Sequence, residues 1–172
     1  MGYTTDFKGK FELNKPLSTQ QAKYLKMFAH TRRMKRNPAA ITKLPAIERN
    51  QECLNLLTNL DLPLGPEGAY YCGPMANYGQ DHDASVIDFN APPATQPGLW
   101  CQWVPTSDRM FLKWDGSEKF NHYEEWIRYL IVSFLRPWGL TLNGEVKWQG
   151  EETRDRGLLI VKDNIVTTKS LE

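Results

Sequence analysis

From Asp6 to Leu13 the chain alternates. Phe7, Gly9, Phe11 and Leu13 fall on one side and Asp6, Lys8, Lys10 and Glu12 on the other, the period of a half-buried strand. The period then changes. In PLSTQQAKYLKMFAHTRRMKRNP, Ser18 with Gln21 reads as a capping box and Pro38 as a stop, which predicts a helix over about 18–36. Pro45 suits the first turn of a second helix, with Ile47, Leu54 and Leu57 as its apolar stripe.

Between Leu62 and Gly98 the text is crowded with Pro, Gly, Asp and Asn, which predicts a long ordered loop with one short strand at 69–72. Two strands are expected in LWCQWVP and RMFLKW, joined by a turn over 105–108. NHYEEWIRYLIVSFLRPWG then predicts a helix capped by Asn121. Its buried stripe is Tyr123, Ile127, Leu130, Ile131 and Phe134, with Trp126 beside it, and Pro137 and Gly139 end it. TLNGEVKWQG alternates again, and GLLIVK and IVTTK flank the two-residue turn Asp163-Asn164 as a hairpin. Strands linked by short turns imply an α+β fold: a mostly antiparallel sheet of about six strands with two or three helices packed on one face. The expected organisation is one domain over 1–170, with a variable helical insert at 39–59 and a tag scar at 171–172.

Composition narrows the function classes. Hydrophobic residues make up 41% and charged residues 24% of 172, ordinary values for a folded domain. With 21 Lys+Arg against 20 Asp+Glu the net charge is +1, so no general field draws nucleic acid or anionic lipid, and neither partner is expected. Three scattered cysteines, Cys53, Cys72 and Cys101, fit reduced cytosolic thiols rather than a disulfide framework. No apolar run has the length of a membrane span, the first residues lack a secretory h-region, and Asp6 breaks the myristoylation motif after Gly2. A cytoplasmic protein of a bacterial host cell is the expectation.

Within this frame several groups could carry chemistry. On the polar side of the TLNGEVKWQG strand, Asn143, Glu145, Lys147 and Gln149 project in one direction, and Gln102 could join them opposite the loop to line a polar pocket. Trp100 and Trp103 differ in parity, so on a regular strand one of them faces away from the helices and is available to stack on a ligand. Arg32 and Arg36 extend the helical line of Leu25 and Phe28, suited either to loop carboxylates or to an anionic ligand such as phosphate, while Arg33 lies to one side. The loop text QDHDASVIDFN gathers Asp81, His82, Asp83, Asp88 and Asn90. As a calcium loop it fails, with Val86 where glycine is needed and Pro92 where glutamate is needed. Neither a metal nor a cofactor is expected. Phosphate-binding loops, dinucleotide fingerprints, nucleophile elbows and paired histidine motifs are missing from the text. Carboxylate catalysis by Glu145 with Asp83 or Asp88 stays open.

The stretches YTTDFKG, TRRMKR, GPEGAYY, QDHDASVIDFNAPPATQPGLWCQWVP, WDGSEKF, PWGLTLNGEVKWQGE and VKDN resemble a functionally uncharacterised family of small single-domain proteins of bacteria and their phages. The resemblance covers nearly the whole chain outside 39–59. It implies a single cytoplasmic domain and says little about mechanism. Three functions follow as expectations. The first is a non-enzymatic protein that binds a polar, anionic, nucleotide-like small molecule through Arg32, Arg36, His82, Asn90, Trp100, Gln102, Trp103, Asn143, Glu145, Lys147 and Gln149, sequestering a signal in a phage or bacterial setting. The second is a hydrolase or transferase acting on a phosphoester or ADP-ribose-like substrate through Glu145 and a loop aspartate. The third is a protein-interaction or inhibitor module. A homodimer through the sheet edge or the open face is a further expectation.

Overall fold

A computed structural model describes residues 3–171. In chain order its elements are β1 (Asp6–Leu13), α1 (Thr19–Ala29), β2 (Lys35–Arg36), α2 (Pro38–Ile41), α3 (Gln51–Asn59), β3 (Val86–Asp88), β4 (Trp103–Pro105), β5 (Phe111–Trp114), α4 (Tyr123–Leu130), β6 (Leu142–Gln149), β7 (Arg156–Lys162) and β8 (Ile165–Ser170). The described residues fall into two compact units, 3–19 with 102–171, and 20–101. Gly2 and Glu172 lie outside the described residues; Leu171 extends the ladder of β7 and β8 through its N–H to the Arg156 carbonyl, 2.9 Å.

The first unit holds a six-stranded sheet in the order β4-β5-β1-β6-β7-β8, antiparallel at every pairing, so the α+β expectation is met. Alternation decides what each face does. Phe7, Phe11 and Leu13 pair with Trp148, Gly144 and Leu142, and this face is buried, while Lys8, Lys10 and Glu12 on the other face are exposed. Burying each such large apolar side chain contributes about 1.5–3 kcal/mol. α4 covers the buried face with Trp126, Ile127 and Leu130. Tyr123 of α4 meets Phe7 edge-on with ring centroids 4.9 Å apart. The start of this helix differs from the expectation. His122, not Asn121, occupies the cap position, at a left-handed φ of 60° with no side-chain cap. The first turn compensates with Glu124 and Glu125, whose charges suit a helix N-terminus. Past Leu130 the helix widens into a π-turn over Ile131–Leu135, and Gly139 ends the segment at φ 74°.

The second unit departs further from the predicted elements. α1 stops at Ala29 instead of reaching Arg36. The Thr31 hydroxyl donates to the Met27 carbonyl (2.7 Å), and the residue before Pro38, Asn37, is extended at φ −88°, ψ 112°, as proline demands of its predecessor. The chain therefore leaves the helix and enters β2, which pairs with β3 of the loop. Arg32 and Arg36 consequently do not continue a helical line with Leu25 and Phe28. Pro45 opens a turn, not a helix. Ile47 is 91% exposed, and α3 starts only where Asn50 accepts the Cys53 N–H at 3.2 Å. Residues 69–72 form no strand, because the Ala69 and Tyr71 carbonyls accept from the Arg33 guanidinium instead of from a neighbouring strand. Among the described residues no helix is long and apolar enough to cross a membrane.

Candidate functional site

In the second unit the three arginines of one short segment have three different fates. Arg33 is almost fully buried and ties together the turn before Cys72, with Nη2 2.7 Å from the Ala69 carbonyl and 2.8 Å from that of Tyr71. Arg36 is equally buried and forms an ion pair with Asp83, Nη1 to Oδ2 3.0 Å, while the same nitrogen donates to the Ser85 hydroxyl at 2.8 Å. Its Nη2 is buried without a hydrogen-bond partner among the described residues. Burial opposes the Asp83 carboxylate, but the hydrogen bonds from Ser85 and the Arg36 charge outweigh it and hold Asp83 below the usual carboxylate range. These two arginines fasten the loop from inside. Glu67 fastens it from outside, accepting the Ala94 N–H at 2.7 Å and pairing with Lys35 at 3.5 Å.

Arg32 alone turns outward. Its Nε donates to the Phe89 carbonyl at 2.9 Å, Nη2 donates to Asn90 Oδ1 at 3.3 Å, and the guanidinium carbon lies 4.1 Å from the centre of the Phe89 ring. His82 stacks on that ring as well, centroids 6.1 Å apart and planes 25° from parallel. Asp88 holds the turn by accepting the Asn90 N–H at 2.9 Å. The Arg32 backbone N–H donates to the carbonyl of Tyr78, a left-handed residue that is 61% exposed. The structure thus brings Arg32, His82 and Asn90 together around Phe89. Phe89 was not among the residues singled out from the sequence, since nothing in its local pattern distinguishes it from core. Trp100 belongs to the same unit, is half-buried and lies outside any strand, so the parity argument linking it to Trp103 does not apply.

In the first unit Trp103 is core: it is 1% exposed and its indole N–H donates to the Tyr123 carbonyl at 3.0 Å. Gln102 is consumed locally, accepting the Trp114 indole N–H at 3.1 Å and donating to the Glu118 carbonyl at 3.0 Å. The polar row of β6 shares the side of the strand opposite Leu142, Val146 and Trp148, as its alternation predicts, but Gln102 does not join it. Glu145 and Lys147 are exposed, whereas Asn143 and Gln149 are half-buried and engaged: Asn143 accepts the Asp163 N–H at 2.8 Å and Gln149 donates to the carbonyls of Gly150 and Glu152, both at 3.1 Å. Lys147 and Gln149 line a groove of about 200 Å³ together with Asp6 and Lys8. Among the described residues no three His, Cys, Asp or Glu side chains converge as metal ligands would. No family model, curated protein or solved structure matches the chain.

Proposed function

We propose that the chain is a non-enzymatic binding protein for a polar, anionic, nucleotide-like small molecule, seated on the Arg32, His82 and Asn90 surface of the second unit. The observation that supports this reading is the stacking of one guanidinium and one imidazole on Phe89, beside an exposed tyrosine and an amide. Flat faces of this kind accept a base, and a half-exposed guanidinium with two of its nitrogens already positioned offers its remaining donors to a phosphate. The loop anchors hold the site before the ligand arrives, which lowers the ordering cost of binding. In a bacterial cell, or one infected by phage, such a protein would sequester a signalling nucleotide. Of the two loop carboxylates offered for catalysis, Asp83 is bound to Arg36 and Ser85 and Asp88 caps the Asn90 turn, so both already serve the loop. Calorimetry of the full chain against nucleotides and ADP-ribose derivatives is expected to give heat that Arg32→Ala abolishes and Lys147→Ala leaves unchanged. No heat and no thermal shift with any of them would refute the reading.

A second reading rests on a different surface. Val132 is 61% and Ile165 64% exposed, and both line a groove of about 250 Å³ between Arg128 and Arg136. An apolar surface with a basic rim suits a protein partner, so Val132→Asp with Ile165→Asp is expected to abolish partner binding without lowering stability.

A further inference from the structure

The second unit buries a guanidinium that no carboxylate among the described residues answers. Arg33 is 2% exposed. Its partners are the Ala69 and Tyr71 carbonyls, Gln96 Oε1 at 3.5 Å, the Phe28 ring at 4.1 Å and the Cys72 sulfur, 3.6 Å from Nη1. Carbonyls, amide and ring are neutral in every protonation state. Cys72 is the one partner able to carry a negative charge, and a buried charge is costly without an opposite one. Cys72 does not stand alone. Its backbone N–H donates to the Cys53 sulfur at 3.1 Å, and both cysteines are 0% exposed. Asn50, the cap of α3, donates to the Cys72 and Gly73 carbonyls at 3.1 and 3.0 Å and accepts the Cys53 N–H, so one side chain fixes both thiol-bearing segments.

From this geometry we propose that Cys72 is held as the thiolate counter-charge of Arg33 and forms, with Cys53 as resolving thiol, a peroxide-reactive site. Burial by itself raises the Cys72 thiol, but the hydrogen bond from Cys53 and the Arg33 charge overcome it and bring Cys72 down to about 7; the bond to Cys72, reinforced by burial, pushes Cys53 up. At neutral pH one sulfur is therefore an activated nucleophile and its neighbour a proton donor. The oxidant is hydrogen peroxide. The Cys72 thiolate attacks one peroxide oxygen, the O–O bond breaks, and the departing hydroxide takes from solvent the proton that Cys72 released on ionising, becoming water and leaving Cys72 as a sulfenic acid. The Cys53 sulfur then attacks the Cys72 sulfur and gives up its proton. The sulfenic oxygen leaves as a second water, and the disulfide closes. Two thiols are oxidised and one peroxide is reduced to two waters. Because neither sulfur reaches the surface, a bulky oxidant such as glutathione disulfide is excluded.

The test uses the full chain. After treatment with equimolar hydrogen peroxide, the protein is unfolded, alkylated and mapped by mass spectrometry. The expected result is a Cys53–Cys72 disulfide with Cys101, equally buried, still alkylated, and no change on treatment with glutathione disulfide over the same time. Cys53→Ser is expected to leave a Cys72 sulfenic acid that dimedone, present as the chain is unfolded, traps. Arg33→Met is expected to slow oxidation at neutral pH about tenfold. If these variants fail to fold, the thiolate ultraviolet absorbance of the wild-type chain decides, and a half-titration near neutral pH is expected. Cys72 recovered fully alkylated after peroxide, Cys101 oxidised as fast as Cys72, or no thiolate absorbance below the ordinary thiol range overturns the proposal.

Discussion

Replacing Asp83 with alanine removes the only carboxylate from a pair whose side chains are 2% and 3% exposed. Three hydrogen bonds go with it: from Arg36 Nη1, from the Ser85 N–H and from the Ser85 hydroxyl. Arg36 would keep the Ser85 hydroxyl but no counter-charge. Stripping one member from a buried ion pair costs about 3–5 kcal/mol, against about 0–1 kcal/mol for a pair in water, so burial sets the scale. In urea, with a slope of about 1.5 kcal/mol/M, about 4 kcal/mol moves the midpoint by roughly 2.5 M. Far-UV circular dichroism reads the transition. Asp83→Asn, which keeps an acceptor but not the charge, is expected to fall between. Arg36→Met combined with Asp83→Leu is expected to recover most of the loss, because no charge is then left buried. A midpoint shift for Asp83→Ala no larger than that of a surface pair, or a double variant no more stable than the single, would refute the reasoning. The pH dependence follows from the same site. Asp83 sits below its ordinary range, so its contribution is complete above about pH 4, where the unfolded chain's aspartates are ionised, and is lost as pH falls through its folded value. Wild-type stability is therefore expected to fall more steeply in acid than that of Asp83→Asn.

Three further substitutions probe other joints. Asn50→Ala removes the α3 cap and two carbonyl contacts and is expected to cost about 2 kcal/mol in urea unfolding, with Asn50→Asp intermediate because it keeps the cap alone. Gly157→Ala places a methyl 2.3 Å from the Trp148 ring and is expected to cost about 1–3 kcal/mol and to alter near-UV circular dichroism from the displaced indole. Asn164→Ala puts alanine at φ 69° and forfeits bonds to Leu140 and Leu142, for an expected loss of about 2 kcal/mol by thermal melt, of which Asn164→Gly recovers the backbone part only.

The elements that the sequence reveals are those whose two faces meet different surroundings. β1, β6 and β7 alternate between buried and more exposed positions, and Asp163 and Asn164, at φ 50° and 69°, make the left-handed turn into β8 that their residue types favour. Where a distant side chain intervenes, local pattern misleads. Leu25, Phe28, Arg32 and Arg36 keep helical spacing, yet the chain breaks after Ala29, and beyond the break Arg33 binds carbonyls 36 and 38 residues away. The same bonds cancel the strand expected at 69–72. Of the candidate site, the pairing of the loop groups with Arg32 and Arg36 was legible, since Arg32 meets Asn90 and Arg36 meets Asp83, but the ring around which Arg32, His82 and Asn90 gather was not. That ring, Phe89, is positioned by the pairing of β2 with β3, which no window of a few residues displays.

β1 lies between β5 and β6 in the sheet, and residues 20–101 are translated between β1 and both of these partners. On the ribosome the segment 20–101 is complete before the sheet can begin to assemble, and β1 must wait, unpaired, for about a hundred residues. Closing so long a loop adds only a modest entropic toll, because that toll grows with the logarithm of length, but it slows the search. Joining the ends of the intervening stretch with a short linker would let nascent β1 find its partners sooner, so refolding of such a shortened chain should outpace that of the parent.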